Sequence, residues 1–268
     1  KRALAAGIAA ADIVFSGVGK SRRELVAALE AGVGQFNLES EEEGVELAAL
    51  AAERGLKAVC ALRVNPDVDA RTHAKISTGK ADNKFGVSYD RAAAIYGRLA
   101  VLGGLEMRAI RAAGHIVSHM DLGGGLGVPY KVGEELPEPA EYGAMVASVT
   151  ADWDATIMFE PGRVITGNSG VLITEVIRVK EGVSAPFVVV DAAMNDLARP
   201  AMYDAWHDFV AVKPSGETMV ANIVGPICES SDTFAMGRTI DTVAAGDLAI
   251  FRTAGAYGAT MANTYNSR

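Results

Sequence analysis

The chain has 268 residues, half of them hydrophobic, and a formal net charge of −8. That length supports a sizeable core in one or two domains, and the acidic balance argues against nucleic acid, whose binding rests on neutralising phosphates. No apolar run approaches the ~20 residues that span a bilayer, residues 1–7 lack the apolar region of a signal peptide, and the two cysteines, Cys60 and Cys228, fit a reducing compartment. The expectation is a cytoplasmic protein with no membrane association.

The first half alternates strand and helix. Residues 12–16 are an apolar run closed by Gly17, a strand. Ser21 opens a helix, and Glu24 three residues on completes a capping box. Leu25, Ala28 and Leu29 share the apolar face, and Gly32 stops the helix. Residues 35–38 are the next strand. Ser40 with Glu43 predicts a second capping box, Leu47, Leu50 and Ala51 the apolar face that follows, and Gly55 the end. Residues 58–64 are a third strand, closed by Asn65-Pro66. A repeat of roughly 22 residues in this style implies parallel strands covered by helices.

A long polar connection, 65–85, comes next, with Arg63 just before it and His73, Lys80, Lys84 and Phe85 within it. Loops this long in a compact domain are functional or mobile. A helix over 88–102 precedes a strand start at 104–107. About ten residues then separate that strand from the one at His119, too few for a βα crossover, so the rhythm breaks there. Residues 129–139 read as a polar loop, 140–150 as a helix and 156–159 as a strand. Beyond them, 171–179, 187–190, 218–224 and 247–252 are β-branched runs between turn signals, the pattern of an antiparallel β domain. The boundary is expected at 166–170.

The chemistry concentrates at strand ends. Residues 119–127 run from a short strand into a turn containing Gly123, Gly124, Gly125 and Gly127, where backbone N–H groups can close around an anion. Glu160-Pro161-Gly162-Arg163 leaves another apolar strand, and two such turns suggest one shared site. Cys228 and Glu229 follow Gly225-Pro226; a cysteine beside acids is a nucleophile, a metal site or a plain loop, and a thiolate nucleophile is disfavoured there. His115 and His119 have the spacing of two ligands on one helix, but a strand begins at His119, so no metal site is expected. Tyr257 stands between small residues, in Ala254-Gly255-Ala256-Tyr257-Gly258, where a ligand could approach closely. Asp196, Arg199, Tyr203 and His207 form a polar and aromatic segment in which Arg199 could grip a carboxylate bidentately.

Taken in order, Arg63-Val64-Asn65-Pro66, Lys84-Phe85-Gly86, 121–127, 160–163, 191–203, 228–232 and 254–258 resemble one family, the diaminopimelate decarboxylases, pyridoxal-phosphate enzymes of the alanine-racemase-like fold. The resemblance implies an α/β architecture: a (β/α)8 TIM barrel, incompletely represented, over residues 1–168 and a C-terminal antiparallel, sandwich- or barrel-like β domain over 169–268. It implies that Gly123, Gly124, Gly125, Gly162 and Arg163 hold the phosphate of pyridoxal 5′-phosphate, that Glu160 keeps the ring nitrogen protonated, and that Tyr257 lies near cofactor and substrate. Arg163, Arg199 and Tyr203 would bind the distal carboxylate of the amino-acid substrate and Glu229 its amino group. Cys228 would act near Cα from the partner subunit of a homodimer with shared active sites. The activity implied is decarboxylation of meso-diaminopimelate to L-lysine, the last step of lysine biosynthesis.

Glu229 together with the arginines favours a substrate with a distal carboxylate over simple diamine precursors, since a site built for that group rejects molecules lacking it. A related decarboxylase of ornithine, arginine or a carboxylated polyamine precursor, and a non-catalytic cofactor-binding relative, remain alternatives. The last holds only if the full-length protein lacks two features of the family. The family's cofactor-bearing lysine falls upstream of residues 1–7, and Lys1 is not its equivalent. The strand carrying the family's ring-stacking histidine falls between Met107 and Arg108, and neither His115 nor His119 takes that role.

Overall fold

The computed structural model describes residues 1–65, 84–107 and 119–267. His73, Lys80 and His115, and the far side of the break after Met107, lie outside them. The chain divides into two compact units, one of residues 1–120 with 154–157, the other of residues 121–153 with 158–268.

The first unit holds α1 (Arg2–Ala5), β1 (Val14–Phe15), α2 (Arg22–Glu30), β2 (Gln35–Leu38), α3 (Glu41–Glu53), β3 (Ala58–Leu62), β4 (Val64–Asn65), β5 (Val87–Ser88), α4 (Tyr89–Ala100) and β6 (Leu105–Met107). Its main sheet has the order β1-β2-β3-β6, and every neighbouring pair is parallel. Parallel neighbours need a crossover between them, and α2, α3 and α4 supply it. Their buried residues, among them Leu25, Leu29, Leu47, Leu50, Ile95 and Leu99, pack with Phe36, Leu38 and Cys60 of the strands in one apolar cluster. Each fully buried leucine there contributes roughly 1.5–3 kcal/mol of transfer free energy.

The helix starts expose one departure from the sequence reading. Ser21 and Glu24 form the full capping box. Ser40 Oγ accepts the N–H of Glu43 at 3.2 Å, but Glu43 does not return the bond. Its Oε2 accepts from Glu39 N at 2.8 Å and its Oε1 pairs with Lys20 Nζ at 2.6 Å. Lys20 is buried and also donates to the carbonyls of Gly17 and Asn37, so the ammonium is fully satisfied and captures the carboxylate. The third expected strand also splits. Arg63 interrupts it: its N–H pairs with Leu38 O while its carbonyl accepts from Val87 N, so Val64 and Asn65 join β5 in a separate ladder. Beside that break, Glu39, buried at 4 % exposure, accepts from Arg63 Nη1 at 2.9 Å and from Gly86 N at 2.8 Å.

β7 (His119–Asp121) and β8 (Thr156–Met158) pair with each other. The second unit continues with α5 (Pro139–Val149), α6 (Gly162–Thr166), β9 (Leu172–Lys180), β10 (Phe187–Val190), α7 (Arg199–Tyr203), β11 (Phe209–Ala211), β12 (Thr218–Val224), β13 (Thr233–Asp241), β14 (Leu248–Phe251) and α8 (Gly258–Met261). Its six strands form one sheet in the order β11-β14-β9-β10-β12-β13. The pairs are antiparallel except β10 with β12. Between those two the chain leaves for β11 at the far edge, and that long excursion lets β12 return beside β10 in the same direction. Phe251 centres the core, with ring centroids of Phe209 and Phe234 at 5.2 and 4.5 Å.

Candidate active site

The two glycine-bearing turns meet. β7 and β8 end side by side, and the pairing continues past them: Leu122 N donates to Met158 O at 3.0 Å and Glu160 N to Gly123 O at 2.8 Å. Asp121 Oδ1 accepts the N–H of Gly123 and so shapes the first bend. Gly124 sits where a Cβ would stand 2.5 Å from the carbonyl oxygen of Glu160, so only glycine lets the turns approach this closely. Arg163, on the first turn of α6, places Nη2 3.5 Å from Gly125 O. The residues thus brought together are Gly123, Gly124, Gly125, Glu160, Gly162 and Arg163.

Tyr257 is tied to the same region through its neighbours. Ala254 N donates to Gly170 O and Gly255 N to Gly167 O, just beyond α6. A Cβ on Gly255 would lie 1.9 Å from the carbonyl oxygen of Thr166, so this contact also demands glycine. Tyr257 itself has φ +67 and a half-exposed ring. A non-glycine residue in that region is held there by its surroundings, a feature concentrated at ligand sites.

Arg199 and Tyr203 stand four apart on α7, one above the other on the same face. Pro200 in the first turn starts this helix and Asp204, left-handed at φ 51, ends it. Arg199 is only 7 % exposed. Its guanidinium lies 4.6 Å from the Tyr130 ring centroid and 5.7 Å from that of Tyr257, and Nη1 donates to His207 Nε2 at 3.2 Å. Among the described residues no carboxylate pairs with it. A buried cation costs several kcal/mol unless an anion joins it.

His207, 1 % exposed, donates from Nδ1 to the Arg252 carbonyl at 2.9 Å. Burial, the largest cause, and the Arg199 and Arg238 charges together lower its pKa to about 4, although the Arg252 carbonyl opposes them. The ring is therefore neutral and its Nε2 free to accept. The Tyr130 hydroxyl is buried beside it without a hydrogen-bond partner among the described residues, the two rings meeting edge to face at 5.2 Å.

Cys228 and Glu229 lie exposed in the loop after β12. Asp232 closes that loop: Oδ2 accepts from Ile227 N at 2.7 Å and Oδ1 from Met194 N at 2.6 Å, which ties the loop to the segment preceding α7. Glu229 accepts from the Ser231 hydroxyl and from Tyr265 Oη, and these bonds hold its carboxyl below the usual range. Glu229, Ser230 and Asp232 line an open cavity with Lys180, Phe187 and Met236; the glycine turns take no part in it.

Sequence reasoning named His207 without a role and overlooked Tyr130. The only signal for Tyr130 was its place three residues beyond the last glycine of the turn, because its contacts with Arg199 and His207 are tertiary.

A phosphorylated aromatic cofactor fits these residues. The closed pair of turns offers a glycine-lined cradle, Arg163 adds a cation whose Nη2 reaches Gly125 O, and Glu160, bonded through its N–H to Gly123, adds a carboxylate beside the turn. Residues 13–255 match the family model described as pyridoxal-dependent decarboxylase, C-terminal sheet domain. The fold, with barrel-type parallel strands followed by the β domain, is that of this enzyme class. The diaminopimelate decarboxylase of Zymomonas mobilis is 48 % identical over 299 aligned positions that take in all of this chain and 70 % of that protein. Its Vibrio cholerae counterpart is 42 % identical, again over the whole chain and 71 % of the protein. The crystal structure of the Helicobacter pylori diaminopimelate decarboxylase complexed with L-lysine superposes with a TM-score of 0.92 at 37 % identity, covering all of this chain and 74 % of that one. Within the pyridoxal-dependent decarboxylases, this chain belongs to the diaminopimelate decarboxylase family.

Proposed function

We infer that the protein is a carboxy-lyase that uses pyridoxal 5′-phosphate to convert meso-2,6-diaminopimelate to L-lysine and CO2, the last step of lysine biosynthesis. The observation that favours this substrate is Arg199, a buried guanidinium between two tyrosine rings and a neutral histidine with no carboxylate paired to it among the described residues. A substrate with a distal carboxylate supplies the missing anion; ornithine does not. The bound cofactor supplies an electron sink for the carbon that loses CO2.

The chain's own residues then divide the work. The N–H groups around Gly123, Gly124 and Gly125, with Gly162 and Arg163, hold the phosphate. Glu160 keeps a proton on the ring nitrogen. Arg163, Arg199 and Tyr203 bind the distal carboxylate, Glu229 the distal amino group, and Tyr257 packs against cofactor and substrate. Cys228 delivers a proton to Cα in the active site of the partner subunit, so the working form is a cytoplasmic homodimer. The barrel domain runs over 1–168 and the β domain over 169–268.

The test is CO2 release by the full-length protein with added pyridoxal phosphate, on meso-diaminopimelate, ornithine and arginine in parallel. Release from diaminopimelate alone is expected. Equal release from ornithine would overturn the reading of Arg199, and release from none with cofactor bound would indicate a non-catalytic relative.

A further inference from the structure

We propose that His207 is a positioning residue for substrate recognition: its Nε2 lone pair fixes the orientation of the Arg199 guanidinium so that its remaining N–H groups present a preset fork to the substrate's distal carboxylate. The inference rests on the reading of Arg199 as the ligand of that carboxylate and adds the device that aims it.

Hydrogen-bond chemistry allows one arrangement. A carbonyl oxygen can only accept, so the ring nitrogen facing Arg252 O at 2.9 Å, Nδ1, carries the proton. A guanidinium can only donate, so Nε2, 3.2 Å from Arg199 Nη1, carries the lone pair. The Arg252 carbonyl thus selects the tautomer that Arg199 needs. Tyr130 completes the clamp: its ring centroid lies 4.6 Å from the guanidinium carbon, and the same ring makes a T-shaped contact with His207. Stacking on one side and a hydrogen bond at one edge restrain the rotation of a planar guanidinium.

The surroundings keep the ring in this state. Arg199 faces it from α7, Tyr130 from the loop after the glycine turn, and Arg238 from β13, donating to the His207 carbonyl at 2.6 Å. Asp208, the neighbour in sequence, is engaged by Trp206 Nε1 at 2.6 Å and Val132 N at 2.9 Å. Burial and the two cations oppose protonation of the ring and outweigh the Arg252 carbonyl and the Asp208 carboxylate, which favour it. A protonated His207 would have no lone pair to offer and would repel Arg199.

Two substitutions separate positioning from packing. In His207→Asn the short amide reaches the Arg252 carbonyl but not Arg199. In His207→Gln the amide oxygen takes the place of Nε2. The readout is binding by calorimetry to the cofactor-loaded full-length enzyme, comparing L-lysine with 1,5-diaminopentane, which is lysine without its carboxylate. The preference for lysine should fall roughly tenfold in His207→Asn, as misplaced binding groups lose affinity of this order, and stay within about threefold of wild type in His207→Gln. An unchanged preference in His207→Asn, or equal losses in both variants, overturns the positioning role.

Arg199→Gln is the control for the underlying reading. If it leaves the preference intact, Arg199 is not the carboxylate ligand and both readings fall; if it abolishes the preference while His207→Asn does not, only the positioning role falls. A measurement on the unmutated enzyme guards against a variant that does not fold: nitrogen-15 NMR of the histidine ring at neutral pH should show Nδ1 protonated and Nε2 bare. The opposite tautomer, or a charged ring, overturns the proposal.

Discussion

The backbone N–H of Glu160 donates to the carbonyl oxygen of Gly123 across 2.8 Å, and this bond joins the turn after β7 to the turn after β8. Gly124 makes the approach possible. In Gly124→Ala the new methyl would stand 2.5 Å from Glu160 O, and a backbone oxygen cannot swing aside as a side chain can. Overpacking of this kind costs about 1–3 kcal/mol, here paid by parting the two turns. The affinity for pyridoxal phosphate should fall roughly tenfold or more, followed by titration of the cofactor's absorbance. An unchanged dissociation constant would mean that the turns do not hold the cofactor.

Gly255 performs the equivalent service for Tyr257. Its Cβ would lie 1.9 Å from Thr166 O, so Gly255→Ala must displace either α6 or the strained segment carrying Tyr257. Both outcomes move a site residue. The melting temperature should fall by about 3 °C or more, and kcat should fall with it. A variant with wild-type Tm and kcat would show that this close approach does not exist in solution.

Local signals were readable from sequence and tertiary ones were not. Ser21 with Glu24 is a capping box in sequence and in structure, because Glu24 keeps its hydrogen bonds with Ser21. Ser40 with Glu43 has the same pattern, yet Lys20, distant in sequence, takes the carboxylate. β10 and β12 match their apolar runs residue for residue, whereas β13, among the longest strands described, escaped notice. Gly237 and Arg238 dilute its pattern, and Gly237 is kept in the ladder region at φ +56 by donating to Asn222 Oδ1 at 2.7 Å, which no local reading can see. Motif residues of the site, such as Glu160, Arg163 and Arg199, stood out by their turns and neighbours. The partner that shapes Arg199 from below, Tyr130, lies 69 positions away in a polar loop, and only the folded chain brings the two together.

His207 predicts the direction of acid sensitivity. Its folded pKa of about 4 lies below the ordinary value of 6.5. The unfolded chain therefore takes up a proton as pH falls through 6.5, while the folded protein does not until pH reaches about 4. Stability from this residue is complete above pH 6.5 and is lost as pH falls towards 4, on the order of 1 kcal/mol per pH unit in that window. Tm measured between pH 5 and 6.5, above the range where carboxylates dominate, should decline on acidification. His207→Gln should flatten that decline; an equal slope in the variant would assign the effect to other groups.

Among the described residues the buried Tyr130 hydroxyl has no hydrogen-bond partner. An unsatisfied buried hydroxyl is a liability of about 1–3 kcal/mol, and the ring contributes its packing through its face to Arg199 and its T-shaped contact with His207, neither of which needs the oxygen. Tyr130→Phe should therefore keep the clamp and raise the melting temperature of the ligand-free protein by about 2–4 °C. Its lysine-over-diaminopentane preference should stay at the wild-type value, because the guanidinium is still stacked and still bonded to Nε2. Tyr130→Leu removes the stacked face and should lower that preference with His207 intact. If Tyr130→Phe melts lower than the parent instead, the hydroxyl has found a partner in solution, and its role is to bind rather than to pack.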